Sequence, residues 1–329
     1  MFRLATLNDK PAILQLIAKY IHPNHVYVRR SDLFEYDFAC ADKLNIGVIE
    51  LDGSIEGIFG YFFYNYSLEP DIGGMLWISS DRAQKWSPLA GIQLRDFVLR
   101  SVKHRFFGAP GANVKTKIIY ERFKKSWMPM EHFVCSLRPS SMPDFLKIRL
   151  EPLRMPKNIC YVSQIRDFDE IKMLDPDIFY FQCPLKDLAY LCWRYFNNPF
   201  REYLLWRVDI GKTNMLVVIR IQNRGPHKIL RVIDLIGKPE LAADAISAVY
   251  HSIEGHYCYL DFVAAGFMAD TFFELGFAGV DFSDARVIVP NHFEPFVAES
   301  SQIHAVCDSG FSNVTMVKGN GDQDRPNFC

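Results

Sequence analysis

The stretch Ile46-Gly-Val-Ile-Glu-Leu51, Asp52-Gly53, Ser54, Ile55-Glu-Gly-Ile-Phe-Gly-Tyr-Phe-Phe-Tyr64 decides the fold class. Two apolar runs flank an Asp-Gly pair, the dipeptide that supplies the positive φ angles of a tight hairpin, so an antiparallel pair is predicted here. Upstream, Phe2 to Thr6 reads as a short strand. Asn8-Asp9 then caps a helix carrying Ile13, Leu16, Ile17 and Tyr20 at helical spacing, and an irregular stretch follows around His22-Pro-Asn-His25. Downstream, Gly74 to Ser79 is a third strand, followed by a polar, Pro-containing turn. An amphipathic segment then runs from Gly91 through Leu94, Phe97, Val98 and Val102. A short element at Arg105 to Phe107 leads to Gly108-Ala-Pro-Gly111. Asn113 caps a further helix ending near Lys125, and Met130 to Ser136 closes the series as a strand. The expectation is an α/β (α+β) fold, a mixed and mostly antiparallel sheet flanked by helices, over residues 1–136.

Residues 137–158 carry Pro139, Pro143, Pro152 and Pro156 with little periodicity and read as a linker. Residues 159–329 then repeat the scheme. An aromatic-rich helical region (Leu185 to Phe196) precedes strands at Tyr203 to Ile210, Met215 to Gln222 and Ile229 to Ile236. After these come a helix from Ala242 to Ile253, a strand at Tyr257 to Val263, a short helix ending at Gly276 and a final strand pair. Duplication of one fold is the economical reading. The last dozen residues, from Lys318, are polar and glycine-containing and read by composition as a loose tail.

A chain of 329 residues, about half hydrophobic, supports two ordinary cores, and a formal net charge of −1 argues against a nucleic-acid partner. The eight cysteines are scattered without zinc spacing, which favours free thiols and no metal. No apolar stretch reaches the roughly 18 residues of a membrane span, and no leader pattern opens the chain, so a cytoplasmic location is expected.

Two segments resemble the GCN5-related N-acyltransferases (GNAT), a likeness that covers residues 1–136. The first is Met75-Leu-Trp77-Ile78-Ser-Ser80 leading to Ser87-Pro-Leu89-Ala90-Gly91-Ile92-Gln-Leu94. In that family the turn presents backbone N–H groups and a helix N-terminus to the CoA pyrophosphate, a general anion-binding device. Here one glycine, Gly91, stands where the family usually has two, and Pro88 stands at its usual Arg or Gln. The cradle would therefore come from Leu89, Ala90, Gly91 and Ile92, with Arg82 or Lys85 adding charge. The second segment is Asn113-Val-Lys-Thr116-Lys-Ile-Ile-Tyr120-Glu-Arg-Phe123. Seven residues make about two helical turns, which puts Asn113 and Tyr120 on one face with Thr116 between. The resemblance implies that Asn113 meets the pantetheine arm and that Tyr120 protonates the departing thiolate. It also implies that the strand Gly74 to Ile78, with Trp77 and Ile78, offers an N–H to the thioester oxygen. Lys124 stands where the family has glycine. Candidates for the base that deprotonates an amine acceptor are His22, His25 and Glu69.

In the second half the equivalent helix, Met268-Ala-Asp-Thr-Phe272-Phe-Glu-Leu-Gly276, has Phe272 in place of the hydroxyl. A degenerate domain is expected, kept for shape, acceptor binding or homodimer formation. Leu191-Cys-Trp-Arg194-Tyr-Phe-Asn-Asn-Pro199 and Gly321-Asp-Gln-Asp324-Arg325-Pro-Asn327 resemble tandem acyltransferase-like proteins encoded with bacterial surface-polysaccharide genes. That implies acetyl-CoA as co-substrate and a nucleotide-linked amino sugar as acceptor, with Asp324, Arg325 and Asn327 as substrate contacts in O-antigen-type biosynthesis. The alternatives are a Fem-type aminoacyl-tRNA-dependent transferase, whose long helical arm is not seen, and a catalytically dead binding or scaffold module.

Overall fold

A computed structural model of the chain describes residues 1–112, 114–138, 142–293 and 296–321. Two compact units are present: Met1–Ala109, and a second that begins at Pro110. In unit 1, strands β1 (Phe2–Thr6), β2 (Lys43–Leu51), β3 (Ser54–Phe63), β4 (Asp71–Ser79) and β5 (Phe106–Ala112, which starts in this unit) lie side by side in that order. The pairs are antiparallel except β4 with β5. Asp52 and Gly53 take φ of +48° and +75°, the backbone expected for the hairpin. Helices α1 (Lys10–Tyr20) and α2 (Ser31–Phe38) precede the hairpin, and α3 (Asp81–Trp86) and α4 (Ala90–Ser101) follow β4.

Helices cover both faces of this sheet, and glycine allows it. A Cβ on Gly47 would lie 2.2 Å from Val98 Cγ2 on α4, and one on Gly60 would lie 2.6 Å from Phe38 Cε1 on α2. Gly47 pairs with Phe59, the neighbour of Gly60, so the two contacts fall on opposite faces. Ile13, Leu16 and Ile17 of α1 are buried, as their spacing predicts.

Unit 2 contains α5 (Lys117–Arg122), preceded by a single 3-10 turn, and β6 (Lys125–Cys135), β7 (Cys160–Ile165), β8 (Leu204–Ile210), β9 (Thr213–Arg224) and β10 (His227–Ile236). They are followed by α6 (Ala242–Ser252), β11 (Tyr259–Ala265), α7 (Ala269–Glu274), β12 (Ile303–Asp308) and β13 (Met316–Val317). The strand order is β12-β6-β11-β10-β9-β8-β7, with β13 on the end of β11. All these pairs are antiparallel except β10 with β11.

Three expectations are corrected here. The boundary at residue 136 moves to 109/110, because β6 pairs with β11 and β12 of unit 2. Residues 137–158 are not a connector but part of unit 2. Leu146, Leu150 and Leu153 are buried in its cores, Leu153 N–H donates to the Ser136 carbonyl at 2.9 Å, and the Arg154 carbonyl accepts from Ser247 Oγ on α6 at 2.7 Å. The start of the presumed tail is also packed, since Lys318, Gly319 and Asn320 are buried. No helix among the described residues is long and apolar enough to cross a membrane, and no described cluster of His, Cys, Asp or Glu could hold a metal ion. The seven described cysteines are free thiols.

Candidate functional site

In unit 1 the predicted strand and helix are both present, with a helix between them that the sequence reading took for a plain turn. Ser80 caps α3 by accepting from Ala83 N–H at 3.0 Å, and Asp81 sits in its first turn. α3 ends at Trp86, and Ser87-Pro88-Leu89 turns the chain into α4. Strand β4 carries a bulge: Phe59 faces Trp77 and Gly60 faces Met75, which leaves Leu76 over, at φ +59°. A leucine at positive φ costs about 1–3 kcal/mol and is held there only by its surroundings, a pattern concentrated at ligand sites. Parallel pairing of β4 with β5 ends at Gly73 with Gly108, so Gly74 to Ser79 is paired in the ladder only to β3. The strand expected to supply an oxyanion donor is thus bulged at Leu76, and its parallel pairing stops at Gly73.

The helix N-terminus behind it is partly used. Leu89 N–H reaches Ser87 Oγ at 3.4 Å and Ala90 N–H reaches the Ser87 carbonyl at 2.9 Å, whereas no acceptor among the described residues meets the N–H groups of Gly91 and Ile92. The expected four-residue cradle reduces to those two donors with Leu89 exposed at the rim. Gly91 permits the approach of α4 to β4, since a Cβ there would lie 3.1 Å from Trp77 Nε1. Trp77 packs edge-on against Phe59 at 5.9 Å, and Ile78 is buried opposite Ile58. Arg82 is engaged by Asp52 at 2.5 Å and Glu56 at 3.3 Å, which leaves Lys85, exposed beside Trp86, as the cation of the turn.

The proposed base residues of unit 1 have local roles. His25 Nδ1 accepts from Tyr27 N–H at 3.3 Å and caps the turn Val26–Arg29, and His22 Nδ1 accepts from Asn24 N–H at 3.1 Å. Glu69 is exposed and paired with Lys103 at 3.1 Å.

In unit 2, Thr116 ends the 3-10 turn that opens α5, and Tyr120 is buried on α5. Its ring stands 6.3 Å from that of Trp127 on β6, and Trp127 stands 4.9 Å from the ring of His304 on β12. Burial, helped by the Lys117 cation, pulls the His304 imidazole below its usual range. His304 comes beside Trp127 through the pairing of β12 with β6, and no motif in the sequence marks it. Lys124, at the family's glycine position, takes φ +54°. Asn113, Asp324, Arg325 and Asn327 lie outside the described residues.

The matching elements of unit 2 are closed. Parallel pairing of β10 with β11 ends at Val232 with Phe262, and the opening beyond it is filled by the chain itself. β13 pairs with Ala264 and Ala265, and Gly319 lies so tightly that a Cβ would be 2.6 Å from Tyr195 Oη and 2.9 Å from the Ile233 carbonyl. Tyr190 Oη donates to the Gly319 carbonyl at 3.0 Å and Arg194 Nη2 to the Gly321 carbonyl at 2.8 Å. At the start of α6, Asp244 places a carboxylate in the first turn that accepts from Lys157 N–H at 2.8 Å, from Asn158 N–H at 3.3 Å and from Asn158 Nδ2. That buried carboxylate repels an anion at the start of α6. Phe272 is fully buried and stacks on Phe133 at 4.3 Å.

This architecture is that of the GCN5-related N-acetyltransferase fold. The chain is similar to a putative acetyltransferase from Pyrococcus horikoshii, with 12% identity, 97% of this chain and 92% of that one covered, and a TM-score of 0.53. It is similar also to a GCN5-related N-acetyltransferase from Anabaena variabilis, with 8% identity, 93% and 72% covered, and a TM-score of 0.57. A third likeness is to a conserved protein of unknown function from Enterococcus faecalis described as a probable N-acyltransferase, with 12% identity, 93% and 71% covered, and a TM-score of 0.53. No family model matches the sequence, and no curated protein matches it.

Proposed function

We propose that the chain is an acyl-CoA-dependent N-acyltransferase that moves an acetyl group from acetyl-CoA to the amine of a nucleotide-linked amino sugar. The observation that carries the donor reading is the contrast between two copies of one device. In unit 1 a bulged strand leads to a helix whose Gly91 and Ile92 N–H groups are unspent; in unit 2 the same device is stopped by Asp244 and Met316 to Gly321. The pyrophosphate is assigned to the start of α4 and the thioester oxygen to the bulge at Leu76. The amine attacks the thioester carbonyl and forms the amide bond as the C–S bond breaks. The resemblance of its segment gives Tyr120 the role of protonating the leaving thiolate, while a base takes the proton lost by the amine. His25 and Glu69, two base candidates of unit 1, are already engaged in a cap and an ion pair.

Titration calorimetry of the whole protein with acetyl-CoA tests this. The expected result is one molecule bound per chain, with Tyr120→Phe folding normally, binding the donor as well and losing at least about 10²-fold in kcat on an amino-sugar acceptor. Absence of donor binding refutes the proposal. Two molecules per chain refute the assignment of the donor site to unit 1.

A further inference from the structure

Unit 2 holds a buried guanidinium with no hydrogen-bond partner among the described residues. Arg201 is 6% exposed, and its Nε, Nη1 and Nη2 are all sealed from solvent without an acceptor. Arginine keeps its charge in proteins, and an unpaired buried charge is among the costliest groups a fold can carry. The buried Asp234 carboxylate of this unit is already taken. Asp234 accepts Lys186 Nζ at 2.5 Å and Leu235 N–H at 2.8 Å on one oxygen, and Tyr195 Oη at 2.6 Å on the other.

The backbone around Arg201 is also unusual. It follows a π-helical turn, Cys192–Phe196, a geometry that recurs at functional sites. Asn198, buried, accepts from Phe200 N–H at 3.0 Å and sets the turn that carries Arg201. Two residues on, the ring of Tyr203 meets that of Tyr195 at 5.0 Å, which ties the loop to the Asp234 group. The segment therefore spends backbone geometry and buried polar groups to fix a cation that no acceptor among the described residues meets.

We infer that Arg201 is a binding residue for an oxyanion of a small-molecule ligand taken by unit 2, a diphosphate or a carboxylate. The planar guanidinium presents parallel N–H groups that match two oxygens of one such group. Assigning that oxyanion to the acceptor rests on the transfer reading above; the oxyanion site itself does not.

The test uses the full chain, its Arg201→Met and Arg201→Lys variants, and three probes by calorimetry: inorganic pyrophosphate, malonate and acetyl-CoA. Pyrophosphate or malonate is expected to bind the parent, at least tenfold more weakly to Arg201→Met and at an intermediate level to Arg201→Lys. Which of the two probes binds tells diphosphate from carboxylate. Without ligand, Arg201→Met is expected to melt at the parent's temperature or above, because an unpaired buried charge has gone. Failure of both small anions to bind, equal binding by Arg201→Met, or a lower melting temperature for both variants overturns the inference. If acetyl-CoA binding falls as much as that of the small anion, the site is the donor's and the acceptor assignment is overturned. If acetyl-CoA binds neither parent nor variant while the small anion binds through Arg201, the transfer reading fails and the oxyanion site stands.

Discussion

Gly319→Ala is expected to destabilise unit 2 far more than a single methyl group suggests. The added Cβ falls 2.6 Å from Tyr195 Oη and 2.9 Å from the Ile233 carbonyl, so the hydroxyl or the backbone must move. Moving the hydroxyl breaks its bond to the buried Asp234 carboxylate, worth about 1.5–3 kcal/mol for a charged partner. Overpacking against β10 adds about 1–3 kcal/mol. The sum is about 2.5–6 kcal/mol, read as a lower urea midpoint at unchanged slope. Gly310→Ala is the control: φ there is +90° but a Cβ meets nothing within 4 Å, so only a backbone cost of about 1–2 kcal/mol applies. Tyr195→Phe is costly alone, yet should make Gly319→Ala cheaper, because the oxygen it strikes is gone. A Gly319→Ala midpoint within about 1 kcal/mol of the parent, or no coupling to Tyr195→Phe, would show that this segment is not wedged as described.

Lys124→Gly should stabilise the chain by about 1 kcal/mol in urea unfolding, since the position already takes a positive φ and its backbone bonds to the Glu121 carbonyl and Ser309 Oγ remain. Leu89→Asp should raise stability by about 0.5–1 kcal/mol as an N-cap and weaken acetyl-CoA at least about tenfold by setting a carboxylate beside the Gly91 and Ile92 N–H groups; unchanged donor affinity by calorimetry would sink the cradle assignment. The Arg3 guanidinium, at 2.7 Å, holds the Asp9 carboxyl at about 2. A folded-state value below the unfolded one means stability that is present above about pH 4 and lost as pH falls through 2, so Asp9→Asn should cost about 2 kcal/mol at pH 7 and almost nothing at pH 2.

Local signals were readable in the sequence, and distant ones were not. Asp52-Gly53 identifies its hairpin because the turn chemistry is contained in two residues, and the spacing of Ile13, Leu16 and Ile17 gives α1 its buried face. The strand β4 and helix α4 were legible for the same reason. The helix α3 was missed although its signal is local: Ser80 and Asp81 are an N-cap and a first-turn acid. The boundary at 136 failed because the partners of β6 are β11 and β12, far along the chain, and no periodicity encodes a partner. The prolines of 137–158 suggested a linker, but its leucines Leu146, Leu150 and Leu153 carried the packing signal. At the candidate site, Tyr120 and Gly91 lay in spaced motifs. Arg201 and His304 are single residues whose surroundings exist only after folding.

The wedged segment at Met316 to Gly321 has a consequence for synthesis. A ribosome delivers unit 2 from its N-terminal side, so β8, β9, β10 and β11 leave the tunnel long before the residues that fill the opening beside β10. Until residue 321 has been made, Tyr190, Arg194 and Tyr195 face an empty groove rather than a closed interior. Nascent unit 2 is therefore a passenger waiting for its final stretch. A stalled or shortened product ending near residue 310 would expose that groove to chaperones and proteases while unit 1 has already folded.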